Sequence, residues 1–152
     1  MKILRITAMI LLAFLFPSKA EMFPVTDGDK AFFGQLKRAV LADDMEWFSE
    51  ALSYPIVVSL DSGDIKLESK EATKKRASAI FTPYLKSVVQ NQTADSLFKN
   101  WRGIMVGNGQ IWFSQVGETR GKETVWAYRI TSVIAREQPK PGLNGEKRKT
   151  SR

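Results

Sequence analysis

An α+β domain, helices first and strands last, is the fold the sequence predicts, and three observations carry it. Between Asp29 and Leu52 the large apolar side chains recur at three- and four-residue spacings, the stripe of amphipathic helices. From Gly103 onward the pattern changes to short β-branched and aromatic runs punctuated by glycine turns. The chain has 152 residues and 43% hydrophobic content, with no internal repeat, which suits one domain with its own core.

The first element is a leader. Lys2 and Arg5 precede Ile6–Phe16, an uninterrupted run of 11 mostly large apolar residues. Pro17-Ser18-Lys19-Ala20 closes it with small residues at the two positions a signal peptidase reads, so residues 1–20 are expected to be a cleaved signal peptide. The run is shorter than the roughly 20 residues a spanning helix needs. An exported protein, periplasmic or extracellular, is therefore expected, with no stable membrane insertion after cleavage.

Asp27-Gly28-Asp29 leads into Phe32, Phe33, Leu36, Val40 and Leu41, one face of a helix that Asp29 would cap. Asp43, three places before Glu46, would cap a second helix carrying Trp47, Phe48, Ala51 and Leu52. Tyr54-Pro55 stops it, because a residue before proline is pushed away from helical angles. Ile56–Leu60, the turn Asp61-Ser62-Gly63-Asp64 and the alternating Ile65–Glu68 predict a hairpin. Ser69 opens a further helix through Lys74, Lys75, Arg76 and Ile80 to Phe81, its basic run read as a solvated face, and Thr82-Pro83 marks a break or kink before Tyr84–Gln90. Residues 95–101 take no firm assignment. Asn108-Gly109 between apolar runs predicts a two-residue hairpin turn pairing Gly107 with Gln110, Val106 with Ile111, Met105 with Trp112 and Ile104 with Phe113. One face is then Ile104, Val106, Ile111 and Phe113, and the other Met105 and Trp112. A final strand, Thr124–Ile134, sets Trp126, Tyr128 and Ile130 on one side.

Composition removes much chemistry. There is no His and no Cys, which excludes disulfides, Ser-His and Cys-His catalytic pairs and the usual zinc ligands. Neither EF-hand spacing nor a phosphate loop is present, so no metal and no cofactor is expected. Asn91-Gln92-Thr93 fits the glycosylation pattern, which matters only in a eukaryotic secretory route. The net charge is +7, yet residues 21–135 hold 14 Lys plus Arg and 14 Asp plus Glu. The excess belongs to the leader and to residues 136–152, a Pro-, Gly- and Lys-rich stretch with the composition of a disordered tail. A neutral domain argues against nucleic-acid binding, whose basic footprint falls on the reading domain.

The order of these elements, two N-terminal helices, the Asp43-Asp44 step, Ser53-Tyr54-Pro55 into a strand, a helical stretch ending at Phe81–Tyr84, and the Gly103–Phe113 hairpin, resembles the nuclear transport factor 2-like superfamily over residues 27–134. The resemblance implies a cone in which a curved, mainly antiparallel sheet wraps helices around a cavity. That superfamily includes isomerases, dehydratases, hydrolases, secretion-system subunits and exported binding proteins, so it does not choose a function. The cystatin-like layout is a neighbouring possibility.

Two readings of function follow. In the first, the chain is a non-catalytic exported module that binds a small apolar ligand, a peptide or an envelope protein. Trp47, Tyr54, Tyr84, Trp101, Met105, Trp112 and Trp126 are the candidate lining of its cavity, since aromatic side chains with polar tips orient ligands. A homodimer through the sheet face would cover Trp112 or Trp126. In the second, a cofactor-independent isomerase or hydrolase works with Asp44, Tyr54 and Tyr84. A raised-pKa carboxyl in an apolar pocket would support that reading. The sequence places Asp43, Asp44, Asp61 and Asp64 in caps and turns instead, and predicts no carboxylate buried in an apolar strand.

Overall fold

The computed structural model describes residues 23–137, so the expected signal peptide and residues 138–152 of the tail lie outside the described residues. The chain there is α+β, with helices leading into a curved, six-stranded mixed sheet that does not close on itself.

Helix α1 (Asp27–Leu41) begins one turn earlier than its apolar stripe. Thr26, not Asp29, is the cap: its hydroxyl accepts from the Asp29 N–H, while the Asp29 carboxylate accepts from the Thr26 N–H. Helix α2 (Met45–Ala51) is capped by Asp44, which accepts from the Trp47 N–H. Asp43, the residue the spacing favoured, sits at φ 56 in the reversal between the helices and pairs with Lys86 at 2.7 Å. The reversal needs a left-handed residue, a conformation Asp tolerates, and that shifts the cap by one place.

Strands β1 (Ile56–Leu60) and β2 (Gly63–Leu67) form the predicted hairpin. The single helix expected after it is two, α3 (Lys70–Lys74) and α4 (Ala77–Ile80). The Arg76 N–H bonds to the Thr73 carbonyl, three residues back, and this tighter turn separates them while Thr73 and Ile80 stay buried. Thr82 caps α5 (Pro83–Asn91), so Pro83 starts a helix rather than kinking one: at the first helical position its missing N–H is not needed. Residues without a sequence assignment form a 3-10 turn at Ala94–Ser96 and β3 (Phe98–Asn100).

β4 (Gly103–Val106) and β5 (Ile111–Arg120) pair in the predicted register, Ile104 with Phe113, Met105 with Trp112 and Val106 with Ile111. Pairing ends there, so the connection is the four residues Gly107–Gln110 and not a two-residue turn. Gln110 is the reason. Its buried amide folds into the loop, accepting from the Asn108 N–H at 2.6 Å and donating to the Tyr84 hydroxyl at 2.8 Å. Gly107, at φ 64, has no room for a Cβ between Gln110 and Val88 of α5.

β6 (Glu123–Ile134) runs beside β5 for its whole length and joins β1 in parallel at Val58–Val133, giving the order β2-β1-β6-β5-β4-β3 with every other pair antiparallel. Between Trp112 and Phe113 the partner jumps from Ser132 to Ile130, and the extra Thr131 is a bulge that bends the long pair. The inner face presents Ile56, Val58, Leu60, Ile104, Val106, Ile111, Phe113, Ile130 and Val133, all buried against Phe33, Leu36, Val40, Phe48, Ile80, Leu85 and Val89 of the helices. Beyond Phe113 and Ile130, β5 and β6 pair only with each other among the described residues.

Candidate functional site

The seven aromatic and Met positions read as a cavity lining fall into separate places. Trp47, on α2, is half-buried with its ring 5.5 Å from Phe32. Tyr54 ties α2 to α3, its hydroxyl donating to the Ser49 carbonyl (2.9 Å) and lying 2.7 Å from Thr73 Oγ1. Tyr84 holds Gln110 at the far hairpin loop. Met105 and Trp112 are neighbours on the outer sheet face, where the Arg102 guanidinium lies 5.0 Å over the indole. Trp101 stands in the β3–β4 turn at 83% exposure, and Trp126 on the inner side of the β5–β6 ribbon at 66%. Asp44 is exposed, and no hydrogen bond joins it to Tyr54 or Tyr84.

Sequence reasoning missed the polar cluster with the most buried chemistry. Asp29 is buried on the first turn of α1, a helix position outside the expectation that no carboxylate is buried in an apolar strand. Its Oδ1 accepts from the Tyr128 hydroxyl at 2.8 Å, and its Oδ2 accepts from Lys99 Nζ at 2.7 Å and the Thr26 N–H at 2.8 Å. α1 places the carboxylate by the capping box, β3 brings Lys99 from the inner face, and β6 brings Tyr128. Burial by itself would push the carboxyl up, but Lys99, the Thr26 N–H and the Tyr128 hydroxyl outweigh it and hold the pKa below the ordinary value. Burial and the bond to Asp29 both raise the Tyr128 phenol. The Thr26-to-Asp29 spacing ahead of an apolar run was the available signal for the cap. Its burial depended on partners 70 and 99 residues away.

Chemically this is a closed arrangement. A general base needs a free lone pair and a pKa near the working pH, whereas Asp29 is held ionised with both oxygens engaged. Rings pack beside it: the Phe32 ring centroid lies 5.0 Å from Phe113 and 5.2 Å from Tyr128, the residue that donates to Asp29. Among the described residues no three carboxylates converge as a metal site would require. Open grooves lie on the surface. One of about 340 Å³ runs between α1 and α2 past Arg38, Asp44 and Trp47, and one of about 440 Å³ lies between Tyr54, Lys70, Val116 and Arg129. In the second, Lys70 pairs with Glu50 at 2.7 Å and Arg129 with Glu118 at 2.5 Å.

The described residues thus define an α+β domain with a packed interior and its unmet apolar surface outside. Comparison of the chain with protein-family models, with curated proteins and with solved structures finds no match in any of the three. Among the described residues no helix is long and apolar enough to cross a membrane.

Proposed function

We propose that this chain is an exported, non-catalytic interaction module of the nuclear transport factor 2-like kind, working through its outer surfaces on a peptide or an envelope protein. The observation that carries the reading is the state of Asp29: the one carboxylate that is buried among the described residues is ionised, neutralised by Lys99 and fully hydrogen-bonded, so it orders structure and does not move protons. Phe32 packs its ring against Phe113, Tyr128 and Trp47 between helices and sheet, and this favours a protein or peptide over a small apolar molecule. Export rests on the leader sequence, and the superfamily on the order of helices and strands.

The test is crosslinking from Trp101, the most exposed large apolar side chain among the described residues, using a photoreactive residue in its place in an extract of the source cell envelope. A discrete crosslinked protein that competes with unlabelled chain supports the reading. Turnover of ester or ketone substrates that disappears in Asp29→Asn, while the variant remains folded, would replace it with the enzyme reading.

A further inference from the structure

The long ribbon leaves one edge open, and that edge has an unusual sequence. Glu123–Arg129 pairs with Arg120–Ser114 on one side. On the other side the Tyr128 carbonyl accepts from Arg129 Nη1 at 3.1 Å, and the next residue bonded to another segment is Ile130, whose carbonyl accepts from the Ser53 N–H at 2.9 Å. Along a strand the backbone groups alternate in direction, so Thr124, Trp126 and Tyr128 share the parity of Ile130 and point their N–H and C=O groups away from β5. The ribbon's turn agrees: Gly121 at φ 66 and Lys122 form a two-residue loop closed by the bonded pair Arg120–Glu123.

The other sheet edges are guarded. β2 carries Asp64 and Lys66 and is five residues long. β3 is three residues long, and the Phe23 N–H already bonds to its Lys99 carbonyl. On the free side of β5, antiparallel self-pairing about Gly117 would set Val116 against Glu118, an apolar group against a charge. Glu-Thr-Val-Trp-Ala-Tyr-Arg, residues 123–129, contains no Pro and no Lys to discourage pairing.

That stretch is self-complementary. Laid antiparallel against itself about Trp126, it sets Glu123 against Arg129, Thr124 against Tyr128, Val125 against Ala127, and Trp126 against Trp126, with outward N–H and C=O groups matching at 124, 126 and 128. Glu123 has no ion-pair partner in its own chain among the described residues, and Val125 and Trp126 are 39% and 66% exposed. The palindrome ends at Arg129, where the free edge ends.

We propose that two copies of this chain pair along β6, antiparallel about a two-fold axis at Trp126, joining their sheets through residues 123–129. The exposed apolar groups at 125 and 126, the outward N–H groups at 124, 126 and 128 and the placement of Glu123 opposite Arg129, which exchanges its contacts with Glu118 and the Tyr128 carbonyl for the partner's carboxylate, select a second copy as the occupant. This differs from a dimer through the sheet face and stands apart from the question of catalysis, since it is tested on the purified chain alone.

The absence of cysteine makes the test direct. Val125→Cys with Ala127→Cys in one chain sets each thiol opposite the other in the partner, so mild oxidation should give an intermolecular disulfide dimer. Val125→Cys alone faces Ala127 and should not crosslink. Thr124→Pro removes one outward N–H without removing a bond to β5, and Trp126→Arg sets like charges together; each should weaken the dimer measured by sedimentation at least about tenfold while circular dichroism stays native. A chain that stays monomeric at hundreds of micromolar overturns the proposal. So does equal crosslinking of the single and double cysteine variants, or a dimer indifferent to both Thr124→Pro and Trp126→Arg.

Discussion

Phe113 and Trp126 lie on the same face of the same pair of strands, yet Phe113 is fully buried and Trp126 is two-thirds exposed. The difference is what stands over them. Phe113 faces Ile130 across the ladder and Phe32 from α1, at 5.0 Å between rings. Trp126 faces Gly117, and its ring edge is carried over a residue with no side chain. Helix cover reaches as far as Tyr128, stacked on Phe32 and bonded to Asp29, and stops. Alternation along a strand therefore says which way a side chain points, while burial depends on how far another element extends across it. The body is stabilised by its own packing; the ribbon beyond Tyr128 leaves Val125 and Trp126 exposed.

Replacing a core ring should separate the two regions most sharply. Phe113→Ala removes a fully buried side chain between Phe32 and Tyr128 and should cost about 3–5 kcal/mol in urea unfolding. Trp126→Ala, by contrast, should change the unfolding of the monomer by no more than about 0.5 kcal/mol, the range of exposed sites, measured at a concentration where the chain is monomeric. An equal loss in both would mean that the ribbon is as much core as the body.

The junction between the regions is Asp29. Asp29→Asn leaves Lys99 without its charge partner and should cost about 2–3 kcal/mol at pH 7. The pH dependence has a definite sign. The folded carboxyl lies below its ordinary value of 3.8, so its contribution is complete above that value and fades as pH falls through the lower, folded value. The gap between wild type and Asp29→Asn should accordingly narrow below about pH 4. At the other end, burial and Asp29 hold the Tyr128 proton on in the folded chain, so stability should fall as pH rises past about 10, where the unfolded phenol ionises first. A gap that widened in acid would place the negative charge elsewhere. A smaller effect belongs to Tyr54→Phe, which removes the hydroxyl shared by Ser49 and Thr73 and should cost about 1 kcal/mol without touching the ribbon.

Legibility in the sequence followed the range of the interactions. The α1 stripe, the β1–β2 hairpin and the register and faces of β4 and β5 were readable because each is set by neighbours within a dozen residues. Caps were displaced by one to three places, because the reversal at Asp43 hands the second cap to Asp44 and the reciprocal bonds between Thr26 and Asp29 start α1 at Thr26. Residues 114–120 gave no strand signal: Ser114-Gln115-Val116-Gly117-Glu118-Thr119-Arg120 has no apolar face, and β6 supplies its order. The Asp29 cluster was illegible for the same reason, since Lys99 and Tyr128 meet it only after the sheet has formed.

Amide hydrogen exchange along β6, followed from dilute to concentrated chain, tests the contrast between a closed body and an open edge most directly. Val125, Ala127 and Arg129, bonded toward β5, should be protected throughout, while Thr124, Trp126 and Tyr128 should exchange freely when dilute and become protected as concentration rises. Protection of all six at every concentration, or an alternating pattern that concentration leaves unchanged, would contradict the account.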